Sequence, residues 1–201
     1  MLTIGMKTLN ANQLLAYARD PGNPAAVALA GVIASGCEPG RGIPPLEDLL
    51  GMETFKRLMA RYFPGLLQKA GERNAWDSGP LAPLPRIPQE HRDLVSLLSE
   101  HGTARNEETL WLAHAVAAAC MGGNHLWQDM GLPNRTVLSD LLARYFRTLY
   151  EKNTGDMKWK KFFYKQLCER EGLNLCKSPN CEACTDYSNC FGSEEEADEF
   201  K

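Results

Sequence analysis

Four of the seven cysteines in this 201-residue chain fall within one stretch of 15 residues, CKSPNCEACTDYSNC. They are Cys176, Cys181, Cys184 and Cys190, spaced C-x4-C-x2-C-x5-C. Thiolates this close converge on one centre only if the loop wraps something, and sulfur-only ligation suits a soft metal, either zinc or an iron–sulfur cluster. Structural zinc usually pairs two short knuckles a dozen or more residues apart. Here Cys176–Cys181 and Cys184–Cys190 are too close together for that arrangement. A cubane has metals at the corners of a small box and needs thiolates from several sides, which a compact loop bending at Pro179, Asn180 and Asn189 can supply. An odd cysteine count and an N-terminus without a signal-peptide layout predict a reducing, cytoplasmic setting where disulfides are rare.

The rest of the sequence reads as all-α: a helical, bundle-like domain carrying a C-terminal cysteine-rich metal-cluster loop. Strand-like alternation of β-branched residues is nearly absent, while helical spacing recurs. Helices are predicted from Asn10 or Asn12 to Arg19, Pro24 to about Ser35, Pro44 to Leu50, Glu53 to Tyr62, Gln89 to Ser99, Glu107 to Met121, Asn134 to Tyr150 and Met157 to Glu171. Asn106 and Asp156 are expected as N-caps, and Gly122-Gly123 and Gly172 as helix ends. Residues 71–88 hold four prolines and predict an extended connection. The expected organisation is an N-terminal helical subdomain (1–70), the Pro-rich connection (71–88), a C-terminal helical subdomain (89–174), the cysteine cluster loop (175–192) and an acidic tail (193–201). No apolar run approaches the roughly 18 residues of a membrane span. The tail carries five acids against Lys201, and the rest of the chain sums to about +1, which argues against a nucleic-acid footprint. The tail itself is expected to be a solvated end.

With its flanks, the cysteine loop resembles the NifQ family of nitrogenase cofactor assembly. The matching residues are His125-Leu126-Trp127-Gln128-Asp129-Met130-Gly131-Leu132, Met157-Lys158-Trp159-Lys160-Lys161-Phe162-Phe163-Tyr164, the four cysteines at the family spacing, and Cys190-Phe191-Gly192. The resemblance covers roughly residues 121–192. It implies a carrier rather than an enzyme. Such a carrier would hold molybdenum in a Mo-Fe-S cubane on Cys176, Cys181, Cys184 and Cys190, although the four cysteines by themselves fit a plain [4Fe-4S] cluster equally well. It would take molybdate as the metal source and deliver molybdenum to the nitrogenase iron protein and the cofactor-assembly scaffold. Two readings from other classes compete. One is an iron–sulfur DNA glycosylase, since a C-x6-C-x2-C-x5-C loop ends the helical domains related to endonuclease III. The other is a zinc-stabilised interaction module.

Further candidates lie outside the loop. Lys158, Lys161 and Lys165 fall at i, i+3, i+7 with Lys160 nearby, a face able to attract molybdate or offset cluster charge. Its bland counterpart is a solvated helix face. His125 and Asp129, at i, i+4, can approach one metal or oxyanion, or can simply cap and pack a short helix. Cys168 is either a spare ligand or a small core residue. Arg135 is a weaker anion-binding candidate, and His114 is expected in the core.

Overall fold

The computed structural model describes residues 9–66, 87–172, 187–192 and 194. Cys176, Cys181 and Cys184 lie outside the described residues, as does most of the Pro-rich connection. All regular structure among the described residues is helical. The helices, numbered as introduced here, are α1 (Ala11–Leu15), α2 (Pro24–Cys37), α3 (Leu46–Leu50), α4 (Met52–Tyr62), α5 (Gln89–Glu100), α6 (Glu107–Cys120), α7 (Leu126–Asp129), α8 (Arg135–Tyr145), α9 (Arg147–Lys152), α10 (Trp159–Arg170) and α11 (Tyr187–Phe191). None is long and apolar enough to cross a membrane.

Helix α6 is the hub, and its sequence explains why. Asn106 Oδ1 accepts from Thr109 N at 2.9 Å, and Glu107 and Glu108 sit in the first turn where the helix dipole favours acids. The following run is alanine-rich and apolar on every side, as a helix surrounded by protein must be. Ala113, Ala115, Ala117, Ala118 and Ala119 are fully buried. Helices α2, α3, α5 and α7 all pack on α6. Helix α2 shares this character: Asn23 caps it, Pro24 occupies its first turn, and its alanines face the core. One hydrophobic core therefore draws on helices from before and after the Pro-rich segment.

Three predicted boundaries differ. The first helix ends at Leu15 rather than Arg19, and the Arg19 N–H donates instead to the Tyr62 carbonyl at 3.0 Å. The stretch Asn134 to Tyr150 is not one helix: Phe146 (φ −137°, ψ 48°) breaks it into α8 and α9. The break buries the Phe146 ring completely and turns the Tyr145 carbonyl out of the helical ladder, so that it accepts from Thr103 N at 2.8 Å. Tertiary contacts override the local pattern there. Asp156 also does not cap the last long helix. It takes φ +52°, a conformation Asp tolerates better than most residues, and its carboxylate pairs with Arg135 at 2.8 Å. Lys158 stands at the N-cap instead.

Between α5 and α6 the rings of His91 and His114 meet at 5.1 Å, and His91 is almost fully buried. Burial lowers the pKa of both, and for His114 burial together with the facing His91 lowers it to about 4. A histidine that stays neutral in the fold adds stability above its unfolded pKa of about 6.5, and that stability is lost as pH falls toward the folded value. Stability is therefore expected to drop between pH 7 and pH 5, with about 2 kcal/mol of the loss due to His114. Urea titrations at both pH values should show a smaller drop in His114→Gln than in the wild type. Equal drops would remove the pair from the account.

Candidate functional site

Trp159, Phe162 and Phe163 turn one side of α10 into the core, where the Trp159 indole N–H reaches Ser139 Oγ at 3.1 Å. The other side carries the lysines toward α7. Between α7, the start of α10 and α11 lies a pocket of about 310 Å³, lined by Asn124, His125, Gln128, Lys158, Lys160, Lys161, Asn189 and Glu194 among others.

Asp129 builds this pocket without lining it. Its side chain is fully buried. Lys160 Nζ donates to its Oδ2 at 2.6 Å, Asn124 donates from both its backbone N and its side chain at 3.0 Å, and Arg41 approaches at 3.9 Å. Lys160 also donates to the Gly122 carbonyl at 2.8 Å. A Cβ on Gly122 would stand 2.4 Å from the carboxylate, so only glycine leaves room for this lock. The i, i+4 pair thus divides: Asp129 points inward and holds the 122–124 turn to α10, while His125 faces the pocket. Gln128, three residues after His125, accepts the His125 N–H at 3.0 Å, which leaves its amide NH₂ group as a donor.

The end of the cysteine loop docks at the same place. The Cys190 carbonyl accepts from Lys158 N at 2.8 Å, and Lys158 Nζ donates to the Ser188 carbonyl at 3.1 Å. Tyr187 and Phe191 stack at 4.7 Å across α11. A Cβ on Gly192 would lie 2.6 Å from the Ser188 carbonyl, so the C-F-G close needs its glycine. Cys190 is half-buried against the core, and its neighbour Asn189 lines the lysine pocket.

Of the other sequence candidates, Lys158 and Lys161 line the pocket, whereas Lys165 does not and pairs with Glu169 at 3.8 Å. Cys168 is half-buried on α10 without a partner thiol among the described residues. Cys120 is buried, which pushes its thiol up to about 12 and leaves it inert at neutral pH. No group of three or more metal-ligating side chains forms among the described residues, a set that holds only Cys190 of the four loop cysteines.

Sequence reasoning missed Glu194. The tail's first acid is not solvated: its side chain is 6% exposed, set between Arg135 Nη1 at 3.5 Å and His125 Nδ1 at 3.9 Å. Arg135 is fixed in turn by the Asp156 and Met157 carbonyls, both at 3.0 Å. Nothing in a run of acids marks one of them for burial. The only hint was the basic residues themselves, which require a counter-charge.

A family model described as NifQ matches residues 28–192. Protein NifQ of Azotobacter vinelandii is 41% identical over 164 residues, which cover 76% of this chain and 82% of that protein. Protein NifQ of Rhodobacter capsulatus is 34% identical over 169 residues, covering 83% and 89%. A Protein NifQ homolog of Sinorhizobium fredii is 43% identical over 102 residues, covering 51% and 44%. No solved structure matches.

Proposed function

This chain belongs to the NifQ family, and we propose that it is a molybdenum-handling iron–sulfur carrier that serves assembly of the nitrogenase iron–molybdenum cofactor. The observation that carries this reading is the docking of Cys190, the last cysteine of the family-spaced quartet, through its carbonyl on the backbone N–H of Lys158, one of three lysines that line the pocket. The two chemistries that molybdenum needs are thereby neighbours. Molybdate is a hard oxyanion and is met by ammonium groups. Molybdenum in a cubane is held through sulfide and thiolate, the ligands a cysteine loop supplies.

In this reading Cys176, Cys181, Cys184 and Cys190 hold the cluster, a Mo-Fe-S cubane or a [4Fe-4S] cluster. The protein carries the cluster and catalyses no turnover of its own. It works in the cytoplasm and passes molybdenum to the nitrogenase iron protein with the cofactor-assembly scaffold. A donor has to hold its cargo through at least one replaceable ligand, and a quartet shared between iron and molybdenum provides one.

Elemental analysis of anaerobically purified protein, from cells given iron and molybdate, tests the proposal. Molybdenum with about three irons per chain is expected for a mixed cubane. Alanine at any one of the four loop cysteines should at least halve the iron and molybdenum, while Cys37→Ala should leave both unchanged. Full loading in all four loop variants would sink the ligand assignment, and zinc alone in the wild type would replace the carrier with a zinc-stabilised module.

A further inference from the structure

We propose that the pocket between α7 and α10 is a binding site for a tetrahedral oxyanion dianion, with the Glu194 carboxylate as an internal occupant that the ligand displaces. The inference rests on the carrier reading for the identity of the oxyanion, molybdate, and on geometry for the rest. Its lining brings three ammonium groups, Lys158, Lys160 and Lys161, against a single carboxylate, Glu194. Asp129 neutralises Lys160, so once Glu194 is displaced Lys158 and Lys161 leave two positive charges, which matches a dianion. Each lysine is held differently. Lys160 is locked between Asp129 and the Gly122 carbonyl, and Lys158 is tied to the Ser188 carbonyl. Lys161 is exposed and has no carboxylate partner among the described residues. Charge-assisted bonds to an oxyanion are roughly twice as strong as neutral ones, and an ammonium offers three donors. The Gln128 NH₂ group adds a neutral donor, because its carbonyl oxygen is consumed by the His125 N–H. A volume of about 310 Å³ exceeds the roughly 30 Å³ share of one water about tenfold, which admits the oxyanion with part of its hydration shell.

Glu194 supplies the regulatory half. Its carboxylate sits between Arg135 and His125 at 3.5 and 3.9 Å, longer than good charged hydrogen bonds, which run about 2.7–2.9 Å. Arg135 keeps Asp156 at 2.8 Å whatever Glu194 does. Release of Glu194 therefore breaks no short bond, and it frees His125 to face the ligand. Glu194 follows Cys190 by four residues, so the ligand enters close in sequence to the last cysteine of the loop.

Equilibrium dialysis of the full chain against labelled molybdate at low salt provides the test, with iron measured in the same preparations. One site per chain is expected. Lys161→Ala and Lys158→Ala should weaken it about tenfold, the usual loss for a charged hydrogen bond. Glu194→Gln should tighten it severalfold, and Lys165→Ala, outside the pocket, should leave it unchanged. Competition by sulfate measures how far the site selects molybdate among tetrahedral dianions, and displacement by either dianion confirms the class. Molybdate binding that is unaltered in Lys161→Ala and Glu194→Gln, or that falls equally in Lys165→Ala, would overturn the pocket. The two readings fail separately: normal iron with lysine-independent molybdate binding removes the pocket alone, and lysine-dependent molybdate binding without iron removes the cluster alone.

Discussion

Asp129→Ala is expected to destabilise the fold by about 3 kcal/mol, the low end of the cost of breaking a buried ion pair by removing one partner. The low end applies because the Lys160 side chain retains 17% exposure and can reach water in part, whereas Asp129 retains none. Two further losses add to it. Asn124 donates to the carboxylate twice and would leave both donors without an acceptor. The 122–124 turn would also lose its tie to α10. For a chain of this size a loss of about 3 kcal/mol lowers the melting temperature by roughly 6–12 °C. Asp129→Asn keeps the shape and one acceptor but removes the charge, so it should fall between wild type and Asp129→Ala. Urea denaturation of the three proteins at neutral pH decides the matter. A midpoint for Asp129→Ala within error of wild type would mean that Lys160 is positioned by something else. If the lock holds Lys160 in the pocket, both variants should also weaken molybdate binding even where they remain folded.

That lock shows where the sequence was legible and where it was not. Signals carried by neighbours in the chain were readable. Asn10 and Asn106 each cap the helix they precede, and α2, α4, α5 and α6 lie where apolar spacing and glycine or proline punctuation put them. The lysine set at α10 was also readable, although the members that line the pocket are Lys158, Lys160 and Lys161 rather than the i, i+3, i+7 series ending at Lys165. Signals that depend on distant partners were not readable. Asp129 meets Lys160, 31 residues away, and a lone aspartate on a short helix looks the same whether it faces a metal or an ammonium. Phe146 breaks its helix without a glycine or proline because Thr103 claims the Tyr145 carbonyl. Glu194 is chosen from a run of like residues by basic groups that only the fold brings to it.

Gly31→Ala tests the scaffold beneath the site and is expected to be among the most damaging single substitutions in the chain. In an ordinary helix interior, alanine is better than glycine by about 1 kcal/mol, so propensity alone predicts stabilisation. Packing predicts the reverse. Gly31 lies in the middle of α2 against the turn that ends α7, and a Cβ there would stand 1.9 Å from the Met130 carbonyl oxygen and 2.8 Å from its carbon. Both are backbone atoms, so no side-chain rotation relieves the clash. The facing residue is no softer: Gly131 has φ +64°, which disfavours other residues, and a Cβ on it would meet the Gly31 Cα at 2.9 Å. The two backbones touch, and separating them moves either α2 out of the core or α7 away from α10. Overpacking of a tight core costs about 1–3 kcal/mol and occasionally more, and a backbone-to-backbone clash belongs at or beyond the upper end. A destabilisation of about 3 kcal/mol or more is therefore expected, against the gain that helix propensity alone would give. The opposite signs make the measurement decisive: a Gly31→Ala protein as stable as wild type would show that α2 does not hold α7 in place. A destabilised but folded Gly31→Ala protein should also bind molybdate more weakly, because Gly31 lies far from every lysine in sequence and can act on the pocket only by moving the helix that carries His125 and Gln128.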